Sequence, residues 1–203
     1  MTSGNRALLL GVMIVALLSG AMPARAGPTP TEEVQETIGR IVGVLQDPMV
    51  ADGAAIAKRK AVFREVLAAR FDFKEMAKRS LGNHWQSVAA RQQEFVSVFT
   101  NFIERVYVGK IDSLKDTKIA FVRERIEGGV AQVDTQIVPA KGDDFPMNYR
   151  LHLVGGKWKI YDVIVENISL VGNYRSQFDR ILASATFDEL LKKLQEKTSA
   201  QGG

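Results

Sequence analysis

A carboxylate stands among apolar neighbours in the C-terminal half of the sequence, where Asp162 lies between Tyr161 and Val163. Burial raises the pKa of a carboxyl group, so an acid in this setting could act as a general base, with Tyr149 or Tyr161 as the proton donor. Alternatively, Asp162 could be a structural acid that pairs with Arg150 on the neighbouring predicted strand. Because no second acid, nucleophile or metal cluster accompanies it, the pattern favours the structural role.

The two histidines have no metal-ligand spacing, because His84 and His152 are far apart in the sequence. We expect His84 to lie in the turn before Trp85, and His152 to lie on the outer face of the third strand, opposite Leu151 and Leu153. No glycine-rich phosphate loop and no Ser-His-Asp order are present. The sequence therefore predicts neither a metal nor a cofactor.

The first 26 residues have the pattern of a secretory leader. Arg6 precedes an apolar run from Ala7 to Leu18, and Ala24-Arg25-Ala26 supplies the small-x-small pattern that signal peptidase cleaves. The run is well short of the ~20 residues that span a bilayer, so a retained anchor is the less favoured alternative. We predict cleavage after Ala26, which leaves enough chain for one domain with a sizeable core or for two closely joined lobes.

Composition excludes several classes of protein. The chain has no cysteine, so thiol catalysis, cysteine-ligated zinc, iron–sulfur clusters and disulfides are excluded. Its net charge is +4, of which the leader supplies two basic residues, so the predicted mature chain carries +2. That charge is too small for a typical nucleic-acid-binding protein. Basic clusters such as Lys58-Arg59-Lys60 and Lys78-Arg79 are interpreted as solvated faces, with contact to anionic lipid or an acidic partner as the alternative.

Helical patterns fill the chain from the predicted mature start to about residue 110. Capping signals at Thr29 to Glu32 and at Asp72 to Glu75 begin two of the helices. The predicted helices cover about residues 30–46, 54–69, 73–81 and 87–108. The last of them carries an aromatic stripe, which indicates a packed core by pattern alone, with a ligand pocket as the alternative.

From Lys118 the apolar period changes to two, which indicates strands. Four strands are predicted: Ile119–Glu124, Val130–Val138, Met147–Val154 and Lys157–Val165. Gly128-Gly129 and Gly155-Gly156 are hairpin signals, so the strands should form an antiparallel meander. In the last strand we expect Trp158, Ile160 and Ile164 on one face and Tyr161, Val163 and Val165 on the other.

Two further helices are predicted after the sheet, at about residues 174–183 and 187–197, the first capped by Asn173 and the second by Thr186. A frayed, disordered tail is expected at residues 199–203. Helices, then a meander, then helices is an α+β order, and it differs from the alternation that makes a parallel sheet. We therefore predict a curved four-stranded antiparallel sheet packed on helices.

Two sequence blocks resemble those of the MlaC family of periplasmic phospholipid carriers, also called toluene-tolerance proteins. The first block is Phe71-Asp-Phe-x-x-Met76-Ala77 with Leu81-Gly82-x-x-Trp85. The second is Trp158-Lys-Ile-Tyr-Asp-Val, followed by Ser169-Leu-Val-Gly-Asn-Tyr-Arg-Ser-Gln-Phe178. The family usually has glycine where this chain has Asn167, a residue that tolerates a positive φ.

The resemblance implies an NTF2-like α+β part, an N-terminal helical part and an apolar cavity between them. On this basis we predict a signal peptide at residues 1–26 and a lipid-binding domain at 27–198, with helices to about residue 110 and the sheet and C-terminal helices from about 111. The residues predicted to contact lipid are apolar or aromatic: Phe99, Phe102, Val106, Tyr107, Tyr149, Leu151, Trp158, Ile160, Val163, Val165, Leu170, Tyr174 and Phe178. Arg175 is predicted at the rim, near the head group.

The function that the resemblance implies is carriage of phospholipid across the periplasm by a monomer. Its partners would be an outer-membrane lipoprotein–porin complex and an inner-membrane ABC transporter with an MCE-domain subunit. The transport would maintain the lipid asymmetry of the outer membrane. An NTF2-like isomerase or dehydratase that uses Asp162 remains the first alternative, and an envelope interaction module without a ligand remains the second.

Overall fold

The computed structural model describes residues 27–46, 53–108 and 117–200. These residues form an α+β fold with six α-helices and one curved antiparallel sheet of five strands. The helices are α1 (Pro30–Gln46), α2 (Gly53–Arg70), α3 (Phe73–Leu81), α4 (Gln92–Val108), α5 (Leu170–Leu182) and α6 (Phe187–Ala200). The predicted leader and residues 201–203 lie outside the described residues, and so does Asp47-Pro48, which was expected to end the first helix. Ser199 and Ala200 of the predicted tail belong to α6.

The predicted helix starts are confirmed at three capping sites. At α1, Thr29 Oγ1 accepts from the Glu32 N–H at 3.2 Å, and Glu32 Oε2 accepts from the Thr29 N–H at 2.8 Å. At α3, Asp72 Oδ1 accepts from the Glu75 N–H at 2.9 Å. Thr186 caps α6 in the same way as Thr29 caps α1. These side chains satisfy backbone donors that the first turn of a helix leaves without partners.

Two predicted helix starts are wrong. The long helix begins at Gln92 and not near Ser87, because short 3-10 turns occupy Gly82–Trp85 and Ala89–Arg91, and Ser87 Oγ donates back to the His84 carbonyl at 2.8 Å. The helix after the sheet begins at Leu170, four residues before the predicted start. Its cap is Ser169, whose Oγ accepts from the Gly172 N–H at 2.9 Å.

The sheet is a meander in the order β1-β2-β3-β4-β5. Its strands are β1 (Lys118–Glu127), β2 (Val130–Val138), β3 (Phe145–Val154), β4 (Lys157–Val165) and β5 (Ile168–Ser169). The glycine hairpins are confirmed, with positive φ at Gly128, Gly155 and Gly156. The prediction of four strands omitted β5, which follows a tight turn with φ of 49° at Glu166 and 67° at Asn167.

A β-bulge in β4 corrects the predicted faces of that strand. Arg150 pairs with Asp162 and Leu151 pairs with Ile160, so Tyr161 is an extra residue in β4. Partners in an antiparallel ladder point to the same face, so Val163 and Val165 share a face with Trp158 and Ile160. Ile164 was predicted on that face, and the bulge moves it to the other one.

The face of the sheet that carries Leu151, Ile160 and Val163 is called the inner face here, and the opposite face is the outer face. The prediction that His152 lies on the opposite face of β3 from Leu151 is confirmed. His152 Nε2 lies 3.0 Å from Asp72 Oδ2, and the imidazole packs edge-on against the Tyr161 ring. The N-terminal end of α3 therefore covers this part of the outer face.

Candidate functional site

The inner face carries all six of the predicted lipid-contacting residues on strands. Tyr149 pairs with Val163, Leu151 with Ile160, and Met147 with Val165, while Trp158 pairs with Leu153. The bulge at Tyr161 is what unites them, since an unbroken strand would turn Val163 and Val165 away from Trp158. The six residues are Tyr149, Leu151, Trp158, Ile160, Val163 and Val165.

Helix α1 covers the inner face only in part. Val34 is fully buried in one cluster with Val133, Leu151 and Ile160, and Ile38 packs against that cluster while remaining half-buried. Other apolar side chains of the cluster are likewise only half-buried: Phe71, Phe121, Met147 and Val163. An apolar face whose border stays partly open to solvent can receive further apolar atoms, such as those of an acyl chain.

A buried phenol lies in this cluster. Tyr149 is 7% exposed, and burial raises the pKa of its hydroxyl group. Among the described residues, the hydroxyl has its hydrogen-bonding contact with Met147 Sδ, at 3.2 Å. A thioether is a weak acceptor, so the hydroxyl retains the capacity for a stronger hydrogen bond.

Arg70, the last residue of α2, fastens α1 over the inner face. Its guanidinium pairs with the Glu33 carboxylate and donates to Thr37 Oγ1 at 2.9 Å and to the Trp158 carbonyl at 2.9 Å. The Arg70 and Glu33 side chains are only 12% and 8% exposed. Burial lowers the pKa of Arg70. One cation thus joins α1, α2 and β4 at the edge of the apolar cluster.

The seven other predicted lipid-contacting residues belong to a second cluster, between α3, α4, α5 and α6. Phe99, Phe102, Tyr174 and Phe178 are each at most 8% exposed, and their rings stack or meet edge-on at centroid distances of 5.3 to 6.2 Å. Val106, Tyr107 and Leu170 pack against them. Burial raises the pKa of Tyr107 and Tyr174, which form a hydrogen bond with each other.

The structure therefore divides the predicted lipid-contacting residues between two clusters. Phe71 packs against both, and its backbone forms an isolated bridge with Ile160. Sequence analysis placed Phe71 in a family motif but not in the site. It also missed Ile38, Phe121 and Met147, although the apolar stripe of α1 and the period of two in the strands were the available signals.

The comparisons with known proteins agree with this architecture. The family model of the MlaC protein matches residues 35–196. This chain belongs to the MlaC family.

A curated relative is the intermembrane phospholipid transport system binding protein MlaC of Haemophilus influenzae. It is 26% identical over 125 residues, which cover 59% of this chain. The match spans only 58% of that relative's length. A solved structure of a phospholipid-binding protein from Ralstonia solanacearum, in complex with a phospholipid, superposes with a TM-score of 0.73 at 20% identity. The superposition covers 84% of this chain and 97% of the solved chain, so the two chains share the same fold.

In this MlaC-family chain, Asp162 is bonded to the start of α5. The residue is 3% exposed. Its Oδ2 accepts from Ser169 Oγ at 2.7 Å, and its Oδ1 accepts from the Val171 N–H at 3.1 Å. The predicted pairing with Arg150 is present, with 3.5 Å between Arg150 Nη1 and Asp162 Oδ2. Both carboxylate oxygens therefore accept hydrogen bonds that connect β4 to the start of α5.

Arg175 lies away from the inner-face cluster, in an open cleft between α3 and α5 that Gly82 and Trp85 also line. Its assignment to a lipid head group stays a prediction. In residues 27–46, 53–108 and 117–200, no group of three His, Asp or Glu residues is arranged to hold a metal ion. No helix within those ranges is long and apolar enough to cross a bilayer.

Proposed function

We propose that this chain is a periplasmic carrier that binds the acyl chains of phospholipid on the inner face of its sheet. The observation that carries the proposal is the partly covered apolar cluster around Tyr149, Leu151 and Val163. A chain with the same fold is a phospholipid-binding protein, solved with a phospholipid. The relative from Haemophilus influenzae bears the name of an intermembrane phospholipid transport protein.

The cost of exposing acyl chains to water is the physical reason for a carrier. Two acyl chains contain roughly thirty methylenes, and exposing them would cost on the order of 20 kcal/mol at ~0.8 kcal/mol each. Transfer from a bilayer to an apolar protein face exchanges one apolar environment for another, so this large free energy nearly cancels. No nucleotide is needed for the carrying step itself.

Within this proposal, the two clusters have different roles. The acyl chains contact Val163 and Val165, which are half-buried on the inner face, and reach Tyr149 beside Val163. The rings of Phe99, Tyr174 and Phe178 pack on one another and form the core that supports α5. Arg70 holds α1 against the same face, so α1 forms part of the wall of the proposed site.

We further propose that the chain exchanges lipid with the two membrane complexes that the family resemblance implies. These are an outer-membrane lipoprotein–porin complex and an inner-membrane ABC transporter with an MCE-domain subunit. By moving phospholipid between them, the carrier would maintain outer-membrane asymmetry. The hydrogen bonds of Asp162 support a structural role for that residue over the isomerase or dehydratase alternative.

The test is lipid extraction from protein that was expressed with its leader and purified from the periplasm. Mass spectrometry of the organic extract should find phospholipid with the wild type. Val163→Lys should lower the lipid yield, because it places a charge without a partner where acyl chains belong. Val122→Lys is the matched control, since Val122 is 67% exposed.

Thermal unfolding of both variants checks that the fold survives. Wild-type protein without phospholipid would contradict the carrier function. Full lipid occupancy in Val163→Lys would contradict the assignment of the inner face.

A further inference from the structure

A cleft opens to solvent between α3 and α5. We call it the α3–α5 cleft and define it by Lys78, Arg79, Gly82, Trp85, Gln86 and Arg175, which line it together with Glu75 and Asn83. It encloses about 430 Å³. None of the inner-face residues lines this cleft, so it is distinct from the proposed lipid site.

The charge of the α3–α5 cleft is positive. Glu75 is the one carboxylate in its lining, and it is shared by two cations: Lys78 Nζ lies 3.6 Å from Oε2, and Arg79 Nε lies 2.8 Å from Oε1. Arg175 pairs with no carboxylate in the part of the chain that the structure describes. Three cations against one anion leave an excess of +2, which equals the net charge of the whole predicted mature chain.

Two of these cations are packed against the fold. Gly82 ends α3 with φ of 53°, and a Cβ at this position would come within 2.6 Å of Arg175 Nε. The guanidinium therefore rests against the C-terminal turn of α3, whose carbonyl groups favour a positive charge. The Arg79 guanidinium lies over the Tyr161 ring at 4.2 Å. Because the Arg175 guanidinium is already held against α3, less side-chain entropy is lost when an anion binds to it.

The neutral lining of the cleft suits a peptide. Trp85 is 6% exposed, so only a small part of its ring lines the cleft, while the side-chain amides of Asn83 and Gln86 can donate and accept hydrogen bonds. A bilayer would instead require protruding apolar side chains. The large exposed apolar residues in the described ranges are all in the sheet: Val122, Ile126, Val130, Leu153, Val154 and Ile168.

We propose that the α3–α5 cleft is a docking site for an acidic segment of a partner protein, whose carboxylates pair with Arg175 and Lys78. Trp85 and Gln86 contact the backbone and the uncharged side chains of that segment. Such an electrostatic site favours fast and reversible association, as a carrier that alternates between partners requires. Docking at this cleft does not depend on which lipid is carried.

The experiment uses a fluorescein-labelled octaglutamate peptide as the probe and octaglutamine as the neutral control, with fluorescence anisotropy at low salt. Wild-type protein should bind octaglutamate only, and binding should weaken as salt is added. Lys78→Glu and Arg175→Gln should each weaken it by about tenfold. Lys192→Gln with Lys193→Gln, on α6, removes two charges elsewhere and should leave the affinity unchanged.

A second readout locates the bound peptide. The indole N–H resonance of Trp85 should shift on addition of octaglutamate, whereas that of Trp158, in the inner-face cluster, should not. Lys78→Glu should keep its copurified phospholipid, so a failure of docking is distinguishable from a failure of the lipid site.

Four results would overturn the proposal: no binding of octaglutamate, an equal loss in the α6 variant, an unshifted Trp85 resonance, or binding of phosphatidylglycerol vesicles without binding of the peptide. The last result would assign the cleft to a membrane surface.

Discussion

The Asp162 carboxylate accepts a hydrogen bond from the Val171 backbone N–H at 3.1 Å, which joins the middle of β4 to the first turn of α5. The same carboxylate accepts from Ser169 Oγ at 2.7 Å, and Ser169 caps α5. This buried acid, for which the sequence pattern favoured a structural role over that of a general base, thus orients a helix. The bonds to Ser169 and Val171 also fix how α5 leaves the sheet and, with it, the position of Tyr174.

Asp162→Asn should leave lipid occupancy nearly unchanged and lower the free energy of unfolding by about 1 to 3 kcal/mol. The amide retains one acceptor oxygen for Val171 or Ser169, but its NH₂ group cannot accept the other bond. Chemical denaturation and lipid extraction on the same variant make the measurement. If this substitution abolished a measurable turnover while stability and lipid content stayed intact, the isomerase-like alternative would replace the carrier.

Arg70→Leu should destabilise the fold by about 3 to 5 kcal/mol, because it leaves the buried Glu33 carboxylate without its cation. Arg40→Leu is the matched control, since its ion pair with Glu65 also joins α1 to α2 but is exposed, and its loss should cost at most about 1 kcal/mol. Urea denaturation measures both values. Adding Glu33→Leu to Arg70→Leu should restore much of the lost stability. If Arg70→Leu alone were no less stable than Arg40→Leu, this role of Arg70 would be refuted.

Glu104 should give a pH dependence of stability. Burial raises the pKa of its carboxyl group, and the Arg64 charge at 3.4 Å opposes that shift only in part. The folded state therefore holds the Glu104 proton more tightly than the unfolded state. The resulting contribution to the free energy of unfolding is fully present below the ordinary carboxyl pKa, and it is lost as the pH rises through the raised pKa of the folded state. Urea unfolding of Glu104→Gln across that window should show the variant gaining stability relative to wild type. A relative gain by the wild type would mean that the Arg64 pair dominates.

Local signals carried the sequence predictions that were confirmed. Thr29, Asp72 and Thr186 each bond the N–H three residues ahead, so the residue spacing alone located those helix starts. The prediction that Asn173 caps the helix after the sheet was wrong, because Ser169 is the cap. Both residues precede apolar residues at helical spacing, so the local sequence does not distinguish them. The position at which β4 ends, Val165, is what places the helix start at Leu170.

The bulge at Tyr161 was missed because the apolar residues around Lys159 and Asp162 also fit an unbroken strand that is covered on both faces. Periodicity also shows which residues are buried but not what they are buried against. Phe102 and Val163 therefore appeared equivalent as candidates, whereas the structure places them in separate clusters.

The leader provides a prediction that is independent of the fold. Arg6, the short apolar run and Ala24-Arg25-Ala26 predict cleavage after Ala26. Intact-mass measurement of protein from a periplasmic extract should give a chain that begins at Gly27. A mature species that still contained Met13 would contradict the prediction of a cleaved leader.

The most direct test of the carrier function is transfer of a fluorescent phospholipid from donor vesicles to acceptor vesicles that are separated by a membrane permeable to protein but not to vesicles. Wild-type mature protein should accelerate transfer in proportion to its concentration, without nucleotide. Val163→Lys should not accelerate transfer, while Val122→Lys should accelerate it as much as the wild type does. Transfer that is no faster than in buffer, by wild-type protein shown to be folded, would contradict the account.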